Sequence, residues 1–292
     1  MQYFDLHCDT LYRATIDDSD FNNSDYHVCL SKTPDFSIYK QMFAIWIPDT
    51  YKGEEATLLF NRAINKYNDL KSKHNLNNFY LAVENASMLN GNINNIELLI
   101  KNKIRYVTLT WNGENELGSG VLSNTDYGIT AFGKEVVKKL YDNNIAIDVS
   151  HASDKLFYDV VDICKTPIIA THSNSRKITD NKRNLTDEQF KIIRDSGGVV
   201  GLNFYKGFLN NNPDKACIDD IIRHADHLLN LYGEDTLAIG ADFDGADMPS
   251  DISSISDIPV IYSRFCDEFG AKLTKKLFFE NANLYFTNFD II

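Results

Sequence analysis

Apolar residues along the chain fall in short runs that suit strands: 3–8, 42–47 (MFAIWI), 79–84 (FYLAVE), 105–110 (RYVTLT), 145–149 (IAIDV), 167–171 (PIIAT), 198–204 (GVVGLNF) and 237–242 (LAIGAD). They are rich in β-branched and aromatic residues and bounded by polar, Gly or Asn segments. Between most of them the period changes to that of an amphipathic helix. Leu59, Ala63, Tyr67 and Leu70 share one face, as do Ile218, Ile221, Ile222, Ala225, Leu228 and Leu229. Similar stripes mark 130–142, 153–164 and 186–196, and helices are expected near 258–269 and 273–286. The segment 9–41 is polar and turn-rich and reads as a long loop crossing the mouth of the fold.

Near-continuous apolar strands that alternate with helices imply a parallel sheet covered by helices. Eight of them in 292 residues predict an α/β fold of the (β/α)8 TIM-barrel kind, built as a single domain over 1–292. An open doubly wound sheet would normally carry a phosphate loop, and neither GxGxxG after the first strand nor GxxxxGK[ST] occurs. Composition adds exclusions. With 43% hydrophobic and 24% charged residues the chain is globular rather than disordered. A formal charge of −12 without a Lys/Arg cluster argues against nucleic acid as a partner. Strand-like YFDLHCD follows Met1 almost at once, no apolar run reaches about 18 residues, and the C-terminal YFTNFDII lacks a longer apolar tail. Cys8, Cys29, Cys164, Cys217 and Cys266 are scattered, with no CxxC pair. The expectation is reduced thiols in a cytoplasmic protein with no membrane partner.

Active-site residues of such a barrel lie at the C-terminal ends of its strands. Here those ends read His7-Cys8-Asp9, Glu84, Ser150-His151, Thr171-His172 and Asp242. His7 and Asp9 are two apart, so an extended strand points both to one side and turns Cys8 toward the helices. Singly, each group has an ordinary explanation: a strand-end cap, a solvated loop acid, a hydrogen-bonded loop histidine. Together they are borderline-hard N/O ligands suited to zinc and, less well, to other divalent first-row metals. Five ligands exceed the needs of one tetrahedral zinc, and a carboxylate bridging two ions about 3.5–4 Å apart would use them all. A metal hydrolase follows from the residues alone. His224 and His227, three apart on one helix, read as a solvated face, and His27 and His74 as surface residues of polar loops.

These residues in this order resemble the membrane dipeptidase (renal dipeptidase) family of zinc metallopeptidases, of the amidohydrolase-like metal-dependent hydrolase barrels. The likeness runs from FDLHCDT to AIGADFDG, through DVSHAS and IIATHSNSR. His151 and His172 stand 21 residues apart, as the family's later histidines do, and Arg183-Asn184 repeats its RN pair eleven residues after the second. The resemblance implies two zinc ions, one held by His7 and Asp9, the other by His151 and His172, with Glu84 bridging. It implies Arg183 as the clamp on the substrate's free carboxylate and Asp242, rather than Asp244, as the acid and base. It further implies dipeptide cleavage by a metal-bridging hydroxide, tolerance of a D-residue at the C-terminal position, and a homodimer. One departure stands out. Where animal members have a histidine that contacts the substrate carbonyl, this chain reads Trp111-Asn112, as a bacterial-type subgroup does, so one of these two is expected to bind substrate there. Alternatives are another small carboxylated amide or lactone as substrate, or a metal-binding homologue without hydrolytic activity.

Overall fold

The computed structural model describes residues 1–22, 25–164 and 167–288; the terminal FDII of the C-terminal tail lies outside them. Seven strands pair in parallel: β1 (Gln2–Cys8), β2 (Ile38–Trp46), β3 (Phe79–Glu84), β4 (Ile104–Thr108), β5 (Ala146–Asp148), β6 (Val200–Leu202) and β7 (Leu237–Ile239), in the spatial order β5-β4-β3-β2-β1-β7-β6. The sixth apolar run, 167–171, forms no full strand. It contributes parallel single bridges instead, Ile169 to Asp148 and Ala170 to Val200, which join the two ends of the sheet. Its crowding is visible in the neighbouring glycines: a Cβ at Gly201 or Gly240 would collide with the Thr171 carbonyl oxygen.

Two apolar clusters follow from the period-2 alternation of the strands. Phe4, Leu6, Met42, Ala82, Tyr106, Ala146, Ile169, Val199 and Ala238 point to one side of the curled sheet, where Phe279, Tyr285 and Phe286 join them. The opposite face packs on the helices. Cys8 belongs to that layer, as the spacing predicts, and is fully buried.

The helices are α1 (Thr10–Ile16), α2 (Glu54–Lys73), α3 (Ile96–Lys101), α4 (Ala131–Asp142), α5 (Asp154–Ile163), α6 (Asp187–Ser196), α7 (Lys206–Leu209), α8 (Ile218–Leu229), α9 (Ile258–Phe269), α10 (Ala271–Lys275) and α11 (Asn281–Asn288). Their starts are coded locally. Thr130, Ser153 and Thr186 cap α4, α5 and α6 through side-chain oxygens, and Thr186 with Gln189 completes a capping box. Gly197, at φ 83°, ends α6 in the left-handed region. No helix among the described residues is long and apolar enough to cross a membrane.

Three expectations need correction. The segment 9–41 is not one loop: it holds α1, a 3₁₀ turn at Leu30–Lys32 and the first residues of β2. Helix α1 forms because Leu11, Ala14 and Thr15 bury one face, too short a stripe to stand out in polar surroundings. The helix expected over 273–286 is broken into α10, a π turn at Lys276–Glu280 and α11. Strands β5, β6 and β7 are shorter than their apolar runs, because the C-terminal residues of those runs leave the ladder to build the site.

Candidate active site

The C-terminal ends of the strands surround a cavity of about 620 Å³ whose wall includes Asp9, Glu84, Trp111, Asn112, His151 and Asp242. His7 and His172 lie beneath it, fully buried. The structure thus brings the five expected ligands and Asp242 into one cluster. Glu84 lies at its centre. Its Oε1 is 2.9 Å from His151 Nε2 and 3.4 Å from His172 Nε2, while Oε2 is 3.6 Å from His7 Nε2. His7 Nε2 lies 3.4 Å from Asp9 Oδ2 and 4.0 Å from Asp242 Oδ1.

The outer nitrogen of each ring has a partner that fixes its tautomer. His7 Nδ1 meets Tyr106 Oη at 3.0 Å, and that hydroxyl donates to the Leu6 carbonyl, so the imidazole is the donor. His172 Nδ1 lies 2.9 Å from Thr171 Oγ1, which gives its own proton to Asp148 at 2.8 Å. His151 Nδ1 donates to Asn112 Oδ1 at 2.9 Å. With every Nδ1 occupied as a donor, three Nε2 atoms turn toward the carboxylates, and His151 Nε2 and His172 Nε2 come within 3.0 Å of each other. His7 Nε2 and Asp9 Oδ1 are buried and have no hydrogen-bond partner among the described residues. Lone pairs converging this way fit a cation, and imidazole with carboxylate is a donor set for zinc.

Charge points the same way. Burial disfavours a cation at His7, but Tyr106 and Glu84 outweigh it and hold the imidazole well above its ordinary pKa, so without metal Nε2 keeps a proton that a bound cation would displace. His151 is pushed down to about 4 by burial and the Arg183 charge, and His172 also falls well below its usual value through burial and His7. Both therefore stay neutral, as ligands must. Burial would raise Glu84, yet His7 and His151 keep it well below the ordinary range, a carboxylate throughout. Asp242 is raised to about 7, by burial first and then by Asp9 and Glu84 against the opposing pull of His7.

Local backbone serves the same end. His151 and Asp242 adopt φ of 65° and 63°, left-handed values that non-glycine residues keep only where the surroundings enforce them. A side chain at position 245 would run into Asp9 and Asp242, so Gly245 lets the loop lie over both carboxylates. Asp244 also borders the cavity, but its carboxylate is engaged, accepting from Arg13 at 3.1 Å and from the His27 N–H at 2.7 Å, a structural role.

Arg183 is buried beneath Phe208, whose ring it faces at 5.2 Å; it borders a small cavity beside His151 and is separate from the wall of the main one. Its guanidinium makes only long bonds, 3.5 Å to Ser173 Oγ and 3.4 Å to the His172 carbonyl, and Nε has no partner among the described residues. Burial lowers its pKa to about 10, so it remains charged. Trp111 packs edge-on against Trp46, centroids 4.9 Å apart, and the two form an aromatic wall beside His151. With its oxygen engaged by His151, Asn112 has only its amide nitrogen, a donor, left to offer a substrate. Tyr106, Asn203, Asp148 and Trp46 carry no signal in the sequence; they lie in or beside apolar strands and reach the site only through folding.

Two histidine readings are overturned. His27 lines the cavity, and its Nδ1 accepts the Asp244 N–H at 3.0 Å, so it is not a simple surface residue. His224 is fully buried rather than solvated, accepting the Ser175 N–H at 3.1 Å and donating to the Leu209 carbonyl at 3.1 Å. It staples the loop that carries Arg183. Burial lowers its pKa to about 4 from 6.5, so the neutral form is the folded one. Its contribution is therefore present above pH 6.5 and is lost as pH falls toward 4. Between about pH 7 and about pH 5, wild type is expected to lose about 2 kcal/mol more stability than His224→Asn. Urea midpoints at the two pH values check this, and equal losses would refute it.

A parallel α/β sheet with imidazoles and carboxylates converging at its strand ends defines a metal-dependent hydrolase. Comparison with known proteins makes the assignment specific. The sequence profile described as membrane dipeptidase (peptidase family M19) matches residues 57–283. The chain belongs to this family and is a peptidase of its metallo-dipeptidase class. A Klebsiella pneumoniae protein known only as an uncharacterised protein in the pqqA 5′ region is 36% identical over 186 residues, 61% of this chain and 69% of that one. An uncharacterised dipeptidase of Schizosaccharomyces pombe is 31% identical over 174 residues, 58% of this chain but only 42% of its own length. Among solved structures, a dipeptidase described as a metallopeptidase of family M19 has a TM-score of 0.88 at 25% identity, covering 100% of this chain and 97% of its own. A Rhodobacter sphaeroides metallopeptidase bound to a phosphinate mimic of L-Ala-D-Ala shares the fold, with a TM-score of 0.88 at 24% identity and 99% coverage of both chains.

Proposed function

We propose that the chain is a binuclear zinc dipeptidase, one domain on a barrel of the (β/α)8 kind, that tolerates a D-residue at the C-terminal position of its substrate. The observation that carries this reading is the split of Glu84, one oxygen toward His7 and the other toward His151 and His172. His7 and Asp9 would hold one ion, His151 and His172 the second, and Glu84 would bridge. Zinc bound there supplies Lewis acidity toward a water and toward the scissile carbonyl.

The remaining steps belong to the chain's own side chains. Asp242 faces the cluster through Oδ1, at the edge of the cavity, where it can take a proton from the attacking water and return it to the leaving amine. Arg183, with unused donors, clamps the free carboxylate of the substrate. A third residue would leave that charge unpaired, which selects dipeptides. The L-Ala-D-Ala mimic held by the Rhodobacter protein supports D-tolerance. The aromatic wall of Trp46 and Trp111, at the place of the family's histidine, favours as the second reading a different small carboxylated amide at the same centre.

Arg183→Ala is expected to raise KM for free dipeptides by about 100-fold, the worth of a bidentate charged contact of about 3 kcal/mol, and to leave C-terminally amidated dipeptides nearly unaffected. Steady-state kinetics on the paired substrates measure the split. Equal loss on both would refute the clamp.

A further inference from the structure

Asn203 sits inside the apolar run GVVGLNF, one residue beyond β6, and its side chain is fully buried. Both ends of its amide are engaged. The oxygen accepts the Tyr205 N–H, while the nitrogen donates to Asp242 Oδ2 at 2.9 Å and to the His172 carbonyl at 3.4 Å. A donor on one side and two acceptors on the other fix which way the amide points. Its backbone is held as firmly: the Asn203 N–H donates to Asn174 Oδ1 at 2.9 Å, and Asn174 Nδ2 returns a bond of 2.9 Å to the Asn203 carbonyl.

Asp242 meets this fixed amide from a left-handed backbone, φ 63°, with its own N–H donated to the His7 carbonyl at 3.1 Å. Asn203 takes Oδ2. Oδ1 is then the oxygen left toward His7 Nε2, at 4.0 Å, and toward the cavity. A carboxylate without that anchor could turn about its last bond and present either oxygen, or neither, at the place where a proton has to move. Asn203 itself is not part of the cavity wall. We infer that Asn203 is a positioning residue for hydrolysis, holding Asp242 with one oxygen engaged and the other presented to the reacting water and the leaving amine. The inference rests on the reading of Asp242 as acid and base.

Asn203→Leu isolates the effect, because it keeps nearly the size of the side chain and removes the donor to Asp242 Oδ2 without adding a charge. With zinc content and melting temperature kept, kcat on L-Ala-D-Ala is expected to fall about 10- to 100-fold, part of the usual general acid–base contribution, while KM stays within about threefold. Asn203→Ala is expected to do the same. Crystal structures of the zinc-loaded wild type and both variants give a readout independent of substrate, with the Asp242 carboxylate expected to turn from its wild-type orientation. An unmoved carboxylate, unchanged kcat, or a rise in KM alone would each overturn the inference. Failure of the dipeptidase reading would look different: the wild type itself would cleave no dipeptide, and the orientation of Asp242 would still decide the role of Asn203.

Discussion

Asp242→Asn is expected to remove dipeptide turnover while leaving zinc content unchanged. The side chain stands at the rim of the ligand cluster, its Oδ1 4.0 Å from His7 Nε2 and its Oδ2 anchored by Asn203 at 2.9 Å. Replacing the carboxylate by an amide keeps the shape and removes the ability to accept a proton and hand it on. General acid–base groups contribute about 10²–10⁴ in rate, and in the proposed mechanism one group serves both water and leaving amine, so the loss should lie toward the upper end. Zinc should stay because the proposed ligands, His7, Asp9, Glu84, His151 and His172, are untouched. Elemental analysis beside single-turnover kinetics tests both halves. Undiminished turnover would take Asp242 out of the mechanism, and loss of zinc would reassign it as a ligand.

Glu84→Gln should have the largest effect of all. The carboxylate faces three histidine nitrogens within 3.6 Å, two on one oxygen and one on the other. An amide nitrogen in place of either oxygen offers hydrogens where a cation requires a lone pair. Zinc content is expected to fall below about one per chain and kcat/KM by at least about 10³-fold, equivalent to about 4 kcal/mol of barrier. A Glu84→Gln protein with full zinc and normal kinetics would remove the bridging role.

How far the sequence discloses this centre depends on what each residue's neighbours look like. His7, Asp9, Glu84, His151, His172 and Asp242 stand where apolar strands end, so an imidazole or carboxylate there is conspicuous in the bare pattern of residues. Tyr106 and Asn203 are hidden by the opposite circumstance. They lie among apolar residues, and their partners are distant in the chain: 99 residues separate His7 from Tyr106 and 39 separate Asn203 from Asp242. His224 misleads because a helix face can be judged solvated only if nothing packs on it, and the loop of Ser175 and Thr179 does. The alternating pattern discloses the parallel α/β organisation, but not the two-bridge pairing of residues 169 and 170, where geometry rather than apolar length sets how much of the run enters the ladder.

Metal stoichiometry with dependence of activity on it tests the central claim most directly. Elemental analysis of gently purified protein is expected to give about two zinc ions per chain, a ratio set by the two halves of the Glu84 cluster. Cleavage of L-Ala-D-Ala should disappear on chelation and return when zinc is restored. A protein that cleaves dipeptides without bound metal, or that binds no zinc at these residues, would contradict it.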